Sequence, residues 1–230
     1  IICLVTLLAA ILIQVGTNFA NDVFDFYKGT DREDRLGPTR ATQAELIAPD
    51  SMIRAMWFTF SIAIIVGLYL AWIGGWPIVI IGLASIAAGI AYTGGPYPLG
   101  YHGWGDVFVF IVFVIIAVPG TYYLQTNTVT NLSIYMGVIT GMLSTAILVV
   151  NNLRDVDTDK LSGKRTLAVR FGTKFSKIQY SVLICIPFLL PIYLWWDLEN
   201  ELSLLLTVFA MPIAIHLIIQ IYSRTGLELN

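Results

Sequence analysis

Two short polar stretches hold most of the chemistry open to this 230-residue chain. NDVFD runs from Asn21 to Asp25, and DVDTD runs from Asp155 to Asp159 with Asn151 one helical turn before it. In each stretch, oxygen-bearing side chains stand four residues apart: Asn21 and Asp25, with Asp22 beside them, and Asp155 and Asp159. Residues at i and i+4 share a helix face, with roughly 5–6 Å between Cβ atoms, so each pair aims two oxygens at one point. Like charges at that spacing repel, and a bound cation is the simplest compensation. Without a Cys or His cluster nearby, zinc is not indicated. Oxygen-only donors suit Mg²⁺, which takes one or two carboxylates, several waters and the phosphate oxygens of a substrate; Mn²⁺ shares that ligand preference. Lys and Arg crowd the same stretches and would neutralise the phosphates, Arg through a bidentate grip and Lys as a point charge. A solvated loop explains either stretch alone. Two matched stretches, each led by Asn where an apolar run ends, point instead to a diphosphate–metal site.

The elements that must position these residues are membrane-spanning helices. The chain is 57% hydrophobic and 12% charged, with a mean hydropathy of +0.78, whereas a soluble domain of this size carries about 25% charged residues. A span needs about 20 apolar residues. Seven candidates occur, at 1–20, 53–73, 76–93, 106–125, 131–150, 178–196 and 202–222. Closed helices leave no backbone polar group facing lipid, and the ten-residue alternation of an outer-membrane barrel is absent. Threading seven spans places 21–52, 94–105, 151–177 and the segment after 222 on one side. All 13 Lys and Arg residues fall on that side, while the opposite connections carry only the acids of DLENE. The positive-inside rule makes the basic side cytoplasmic. Four spans separate the two polar stretches, an even number, so both emerge on that same side. The opening IICLVTLLAA lacks Met and a basic flank and reads as the interior of a helix trimmed at its start. Residues 1–230 are expected to form a single transmembrane domain.

NDVFD, the middle loop YTGGPYPLGYHGWGD and NNLRDVDTDKLSGKRTL together resemble the UbiA superfamily of intramembrane aromatic prenyltransferases, and within it the branch that acts on 1,4-dihydroxy-2-naphthoate in menaquinone biosynthesis. The resemblance covers nearly the whole chain. It implies an all-α membrane protein whose relatives hold nine helices around a central cavity, against seven visible here. By the same resemblance, Asn21, Asp22 and Asp25 would bind one Mg²⁺ and Asp155 and Asp159 a second, with Asp25, Asp155 and Asp159 as the catalytic carboxylates. Lys28, Arg40, Arg154, Lys164 and Arg165 would meet the diphosphate, and Asn151, Tyr92 and Tyr97 are possible substrate contacts. Many relatives carry a further Asp four residues beyond the position of Asp25; here that residue is Gly29, and Asp31 follows two later with no role assigned. The implied reaction is transfer of a polyprenyl group from its diphosphate to an aromatic acid in a bacterial or archaeal membrane, with no nucleic acid involved. The 4-hydroxybenzoate branch is the alternative acceptor class.

Other features read more plainly. Tyr92, Tyr97, Tyr101 and Trp104 form either an interfacial aromatic belt or a cap over the site. His102 shares that loop. His216, in mid-span, suits a hydrogen bond between helices. Tyr122, Tyr123 and Gln125 either line the cavity or pack near the far interface. Gly82, Ser85 and Gly89 suit helix packing, and Pro119, Pro187, Pro191 and Pro212 kink or end helices. Cys3 and Cys185 are expected to be buried, unpaired hydrophobes. A secondary transporter would place its acids near the midplane, away from these basic partners. The D-G-x-x-A-R signature of alcohol phosphotransferases is missing.

Overall fold

Each apolar run is a helix in the computed structural model, which describes residues 1–30, 36–197 and 202–229. The order is α1 (Ile2–Tyr27), α2 (Pro49–Gly74), α3 (Trp76–Thr93), α4 (Gly105–Ile111), a π-helical stretch Val112–Ala117, α5 (Val118–Thr126), α6 (Asn131–Arg154), α7 (Val156–Leu161), α8 (Leu167–Asp197), a 3-10 segment Leu202–Ala210 and α9 (Met211–Ser223). α4, the π stretch and α5 make one span, so seven helices are long and apolar enough to cross a membrane. No strand occurs among the described residues.

The helix starts follow local chemistry. Pro stands in the first turn of α2 and α3, where its missing N–H costs nothing, and Pro119 and Pro212 fall where a π or 3-10 stretch passes into α5 or α9. Thr130 and Ser133 cap α6 reciprocally. Pro187 and Pro191 lie inside α8, and its non-helical residue is Gly172 instead. The helices also outrun their apolar cores. α1 continues through NDVFD to Tyr27, and α8 is helical from just after the break at Gly172 rather than from near 178, with a short helical turn from Leu167 before that break. Both polar stretches therefore ride on rigid helical extensions or on the turn that follows one.

α1 packs on α2 and α3, while α6 packs on α8 and the π stretch. A Cβ at Gly16 would sit 2.6 Å from the Phe60 ring, and one at Gly89 would sit 2.2 Å from Thr17 Oγ1. Gly89 thus does the packing expected of it. Gly82 meets open space, and the Ser85 hydroxyl returns to its own helix at Ile81. One apolar cluster joins α6, α8 and α9 through Val149, Leu153, Ile184 and Ile221; another joins α1, α2, α3 and α5 through Ala9, Leu70, Ile78 and Leu124. The exterior is also apolar. Trp72, Trp76 and Trp196 are 77–83% exposed, a surface suited to lipid, and the chain is an integral membrane protein. Cys3 and Cys185 lie on this exterior rather than inside, and are unpaired. His216 pairs with Gln220 of its own helix at 2.7 Å rather than with a neighbouring helix.

Candidate functional site

Asp25 lies in the last turn of α1, 3% exposed. The Tyr101 hydroxyl donates to its Oδ1 at 2.5 Å. Its Oδ2 faces two cations, Arg40 at 4.0 Å and Lys164 at 3.9 Å. Lys164 stands equally far, 3.9 Å, from Asp159 Oδ1, so one ammonium group spans the two polar stretches. Its position follows from the turn behind α7. Gly163 adopts φ 78°, a conformation that favours glycine, and the reversed chain lets the Lys164 amide donate to the Asp159 carbonyl at 2.9 Å.

Lys28 closes the opposite flank. Its ammonium donates to the Thr93 carbonyl and lies 4.5 Å from the Tyr101 ring centroid, with Lys164 at 4.8 Å from the same ring, within cation–π reach. Lys28 is exposed by area, but its head group turns inward. Desolvation pulls its pKa below the ordinary lysine value, Asp25 offsets part of that, and Lys164 adds to it. An arriving anion would relieve both unfavourable effects. Asn21 Oδ1 accepts the Thr93 hydroxyl at 2.9 Å, and the Thr30 hydroxyl lies 2.7 Å from that of Tyr101.

Tyr101 is the residue that the sequence left among several loop aromatics. Its loop is pinned to the second stretch by backbone. The Arg165 amide donates to the Tyr101 carbonyl at 2.8 Å, and Arg170 donates to the His102 carbonyl at 2.7 Å. Gly103 permits this approach. Its φ is +76°, and a Cβ there would sit 2.8 Å from the Arg165 carbonyl oxygen. Threading had put this loop on the site's side of the membrane, but spacing alone could not choose which ring points inward.

The other expected site residues have these partners in the fold. Asp22 accepts through both oxygens from backbone amides, those of Ala41 and Thr42 at 3.0 Å each, and so anchors the loop that carries Arg40. Asp155 and Asp159 sit one turn apart, the Asp159 amide donating to the Asp155 carbonyl at 2.8 Å, and each carboxylate faces a cation. Asp155 sits at the non-helical α6–α7 junction, held through both oxygens by Arg154 at 2.8 and 2.7 Å, while Asp159 turns to Lys164. Arg165 is exposed and ties the loop through its backbone. Tyr97 is exposed and stacks on His102, centroids 3.8 Å apart; Tyr92 packs against Gly100 and Gly105. Tyr123 donates to the Gly74 carbonyl, away from the site. Asn151 and Arg154 line a cavity of about 780 Å³ whose other walls include Leu143, Ile147, Tyr180 and Ile184. Asp31, Arg32 and Arg35 lie outside the described residues.

Among the described residues, no three acidic, His or Cys side chains gather closely enough to hold a metal ion. The donor chemistry nevertheless fits a hard divalent cation. Carboxylate oxygens of Asp25 and Asp159 flank the Lys164 position, and hard oxygen donors of that kind suit Mg²⁺. Lys164 balances Asp25 and Asp159 at 3.9 Å, beyond hydrogen-bond range. Entry of a cation and a phosphate between these acids breaks no direct hydrogen bond to Lys164.

Residues 1–228 match the profile of the UbiA prenyltransferase family. The chain is 38% identical over 183 residues to the 1,4-dihydroxy-2-naphthoate octaprenyltransferase of Mycobacterium tuberculosis, covering 80% of this chain and 62% of that protein. It is 35% identical over 239 residues to the protein so named in Haemophilus influenzae, covering 100% of this chain and 77% of that one. With the Escherichia coli protein of the same name the identity is 37% over 190 residues, covering 80% and 62%. The chain thus spans about three fifths of the length of two of these relatives.

Proposed function

The chain belongs to the UbiA prenyltransferase family, and from that premise we propose that it transfers a polyprenyl group from its diphosphate to 1,4-dihydroxy-2-naphthoate, with loss of the ring carboxylate, at a Mg²⁺-dependent site between Asp25 and Asp159. One observation carries the reading. Two carboxylates more than a hundred positions apart in sequence share one ammonium group, Lys164, at 3.9 Å each, and Lys28 and Arg40 stand around them. Acids ringed by cations have little use in a structural loop. They suit a ligand that brings both a divalent metal and a polyanion.

The side chains divide the work. Asp25 and Asp159, with Asn21 and Asp155 as neighbours, would hold the metal. Bound Mg²⁺ stabilises the negative charge that grows on a departing diphosphate. Lys164 and Arg40 would turn from the carboxylates, and Lys28 from the Thr93 carbonyl, to the phosphate oxygens, adding preorganised positive charge where negative charge develops. Tyr101 fixes the Asp25 carboxylate through its hydroxyl, and its ring faces the same space. As the allylic C–O bond breaks, its electrons leave with the diphosphate, and the electron-rich acceptor ring supplies the pair for the new C–C bond. Acceptor carboxylate and prenyl diphosphate then yield prenylated ring, CO₂ and pyrophosphate, with charge balanced. Apolar helices around the site keep water from the allylic cation. The segregation of Lys and Arg supports a cytoplasmic face for this chemistry.

The test uses full-length protein in lipid nanodiscs, prenyl diphosphates of several lengths, a panel of aromatic acids and a Mg²⁺ titration. Prenylated naphthalenediol should form, stop with EDTA and return with Mg²⁺ or Mn²⁺. Full turnover in metal-free buffer, or transfer only to 4-hydroxybenzoate, would overturn the assignment.

A further inference from the structure

Asp106 lies one residue into α4, inside the membrane-spanning stretch and 4% exposed. Its Oδ1 accepts from Asn152 Nδ2 of α6 at 3.0 Å, and its Oδ2 accepts from Gln179 Nε2 of α8 at 2.7 Å. A buried carboxylate met by two neutral amides is a costly arrangement, and nothing in the proposed chemistry uses it directly. The geometry suggests what the cost maintains. Three helices from different parts of the chain meet at one carboxyl group, and each amide presents its N–H to it, where a flip would turn a carbonyl oxygen toward the Asp106 oxygens instead. Gln179 Oε1 is buried with no hydrogen-bond partner among the described residues, so Asp106 alone fixes which way that amide points. Asn152 lies in the last turn of α6, next to Asn151, two residues before Arg154 and three before Asp155. That turn leads into α7, which carries Asp159 and is followed by the turn that carries Lys164.

We propose that Asp106 is a positioning residue. Through Asn152 and Gln179 it sets the rotation of the end of α6 and so the reach of the Asp155–Asp159 half of the site toward Asp25. The inference rests on the metal–diphosphate reading of that site. It assigns Asp106 no contact with substrate and no proton to carry.

The experiment reads Mn²⁺ binding by electron paramagnetic resonance, with inorganic pyrophosphate present, alongside turnover, in full-length protein. Asp106→Asn leaves one oxygen for two donors. Mn²⁺ affinity should fall about tenfold or more, as when a partner behind a metal ligand is removed, and kcat should fall with it. The exchange variant Asp106→Asn with Gln179→Glu moves the negative charge to α8 and restores a complementary donor for each acceptor, so both readouts should recover to within about threefold. Unchanged Mn²⁺ affinity in Asp106→Asn would overturn the proposal. So would an exchange variant that folds and binds Mn²⁺ normally yet stays inactive, because the carboxylate would then be needed at position 106 itself. If Asp106→Asn does not fold, Gln179→Leu removes one arm and leaves the carboxylate, and wild-type Mn²⁺ affinity there would equally overturn it. Absence of Mn²⁺ binding in the unmutated protein would instead remove the metal–diphosphate reading beneath it.

Discussion

At the scale of single residues, Asp25 and Tyr101 make the sharpest claims. Asp25→Asn keeps the shape and removes the charge that balances Arg40 and Lys164. It should lower kcat by about a hundredfold or more, in the range lost when a preorganised charge partner is removed, while membrane insertion measured by fractionation stays normal. Wild-type kinetics would return NDVFD to an ordinary helix end. Tyr101→Phe keeps the ring between Lys28 and Lys164 but removes the hydroxyl that holds Asp25. A hydrogen bond to a charged group contributes about 1.5–3 kcal/mol, so kcat/KM should fall about tenfold or more; Tyr101→Ala should fall further by losing the ring as well. Equal losses in the two variants would show that the ring contributes nothing. Asp25 was legible from its spacing with Asn21. Tyr101 was not, because its role comes from a contact 76 positions away in sequence, and no local pattern encodes which of four loop aromatics makes it. The two loop amides that Asp22 accepts, from Ala41 and Thr42, were beyond sequence for the same reason, since they lie 19 and 20 positions away.

At the scale of elements, the site depends on a loop held close to a turn. Gly95 and Gly103 share φ +76°, but a Cβ at Gly95 meets nothing within 4 Å, whereas one at Gly103 meets the Arg165 carbonyl oxygen at 2.8 Å. Each Ala substitution carries the left-handed backbone cost of roughly 1–2 kcal/mol. Only Gly103→Ala also pushes the loop off its anchor. It should therefore lose activity and thermal stability well beyond Gly95→Ala, measured by turnover and by melting in detergent. Matching losses would mean that backbone strain is the whole effect. Helix existence was plain from hydropathy, but helix ends were not. Apolar runs end where lipid ends, while backbone hydrogen bonding carries α1 on to Tyr27 and carries α8 back to the break at Gly172. The two Asp stretches looked alike by spacing, yet α6 stops at Arg154 and reorients Asp155 toward its own neighbour.

At the scale of the whole molecule, the seven-span threading that placed every Lys and Arg on one side agrees with seven helices, with both polar stretches meeting at one end. The orientation in the cell follows from charge alone and is open to direct labelling. With Cys3 and Cys185 replaced by Ser, a Cys at Thr128 should react with a membrane-impermeant maleimide on intact cells, and a Cys at Thr39 only after permeabilisation. The reverse pattern would put the site outside. Orientation, metal and acceptor all converge in a single reaction, and its carbon balance is the most direct check. Full-length protein is given prenyl diphosphate carrying tritium and 1,4-dihydroxy-2-naphthoate carrying ¹⁴C in its carboxyl group, with Mg²⁺. Decarboxylative prenyl transfer predicts about one ¹⁴CO₂ for each tritiated lipid product, and a product free of ¹⁴C. Tritiated product that retains the ¹⁴C carboxyl, or CO₂ released without prenylation, would contradict it.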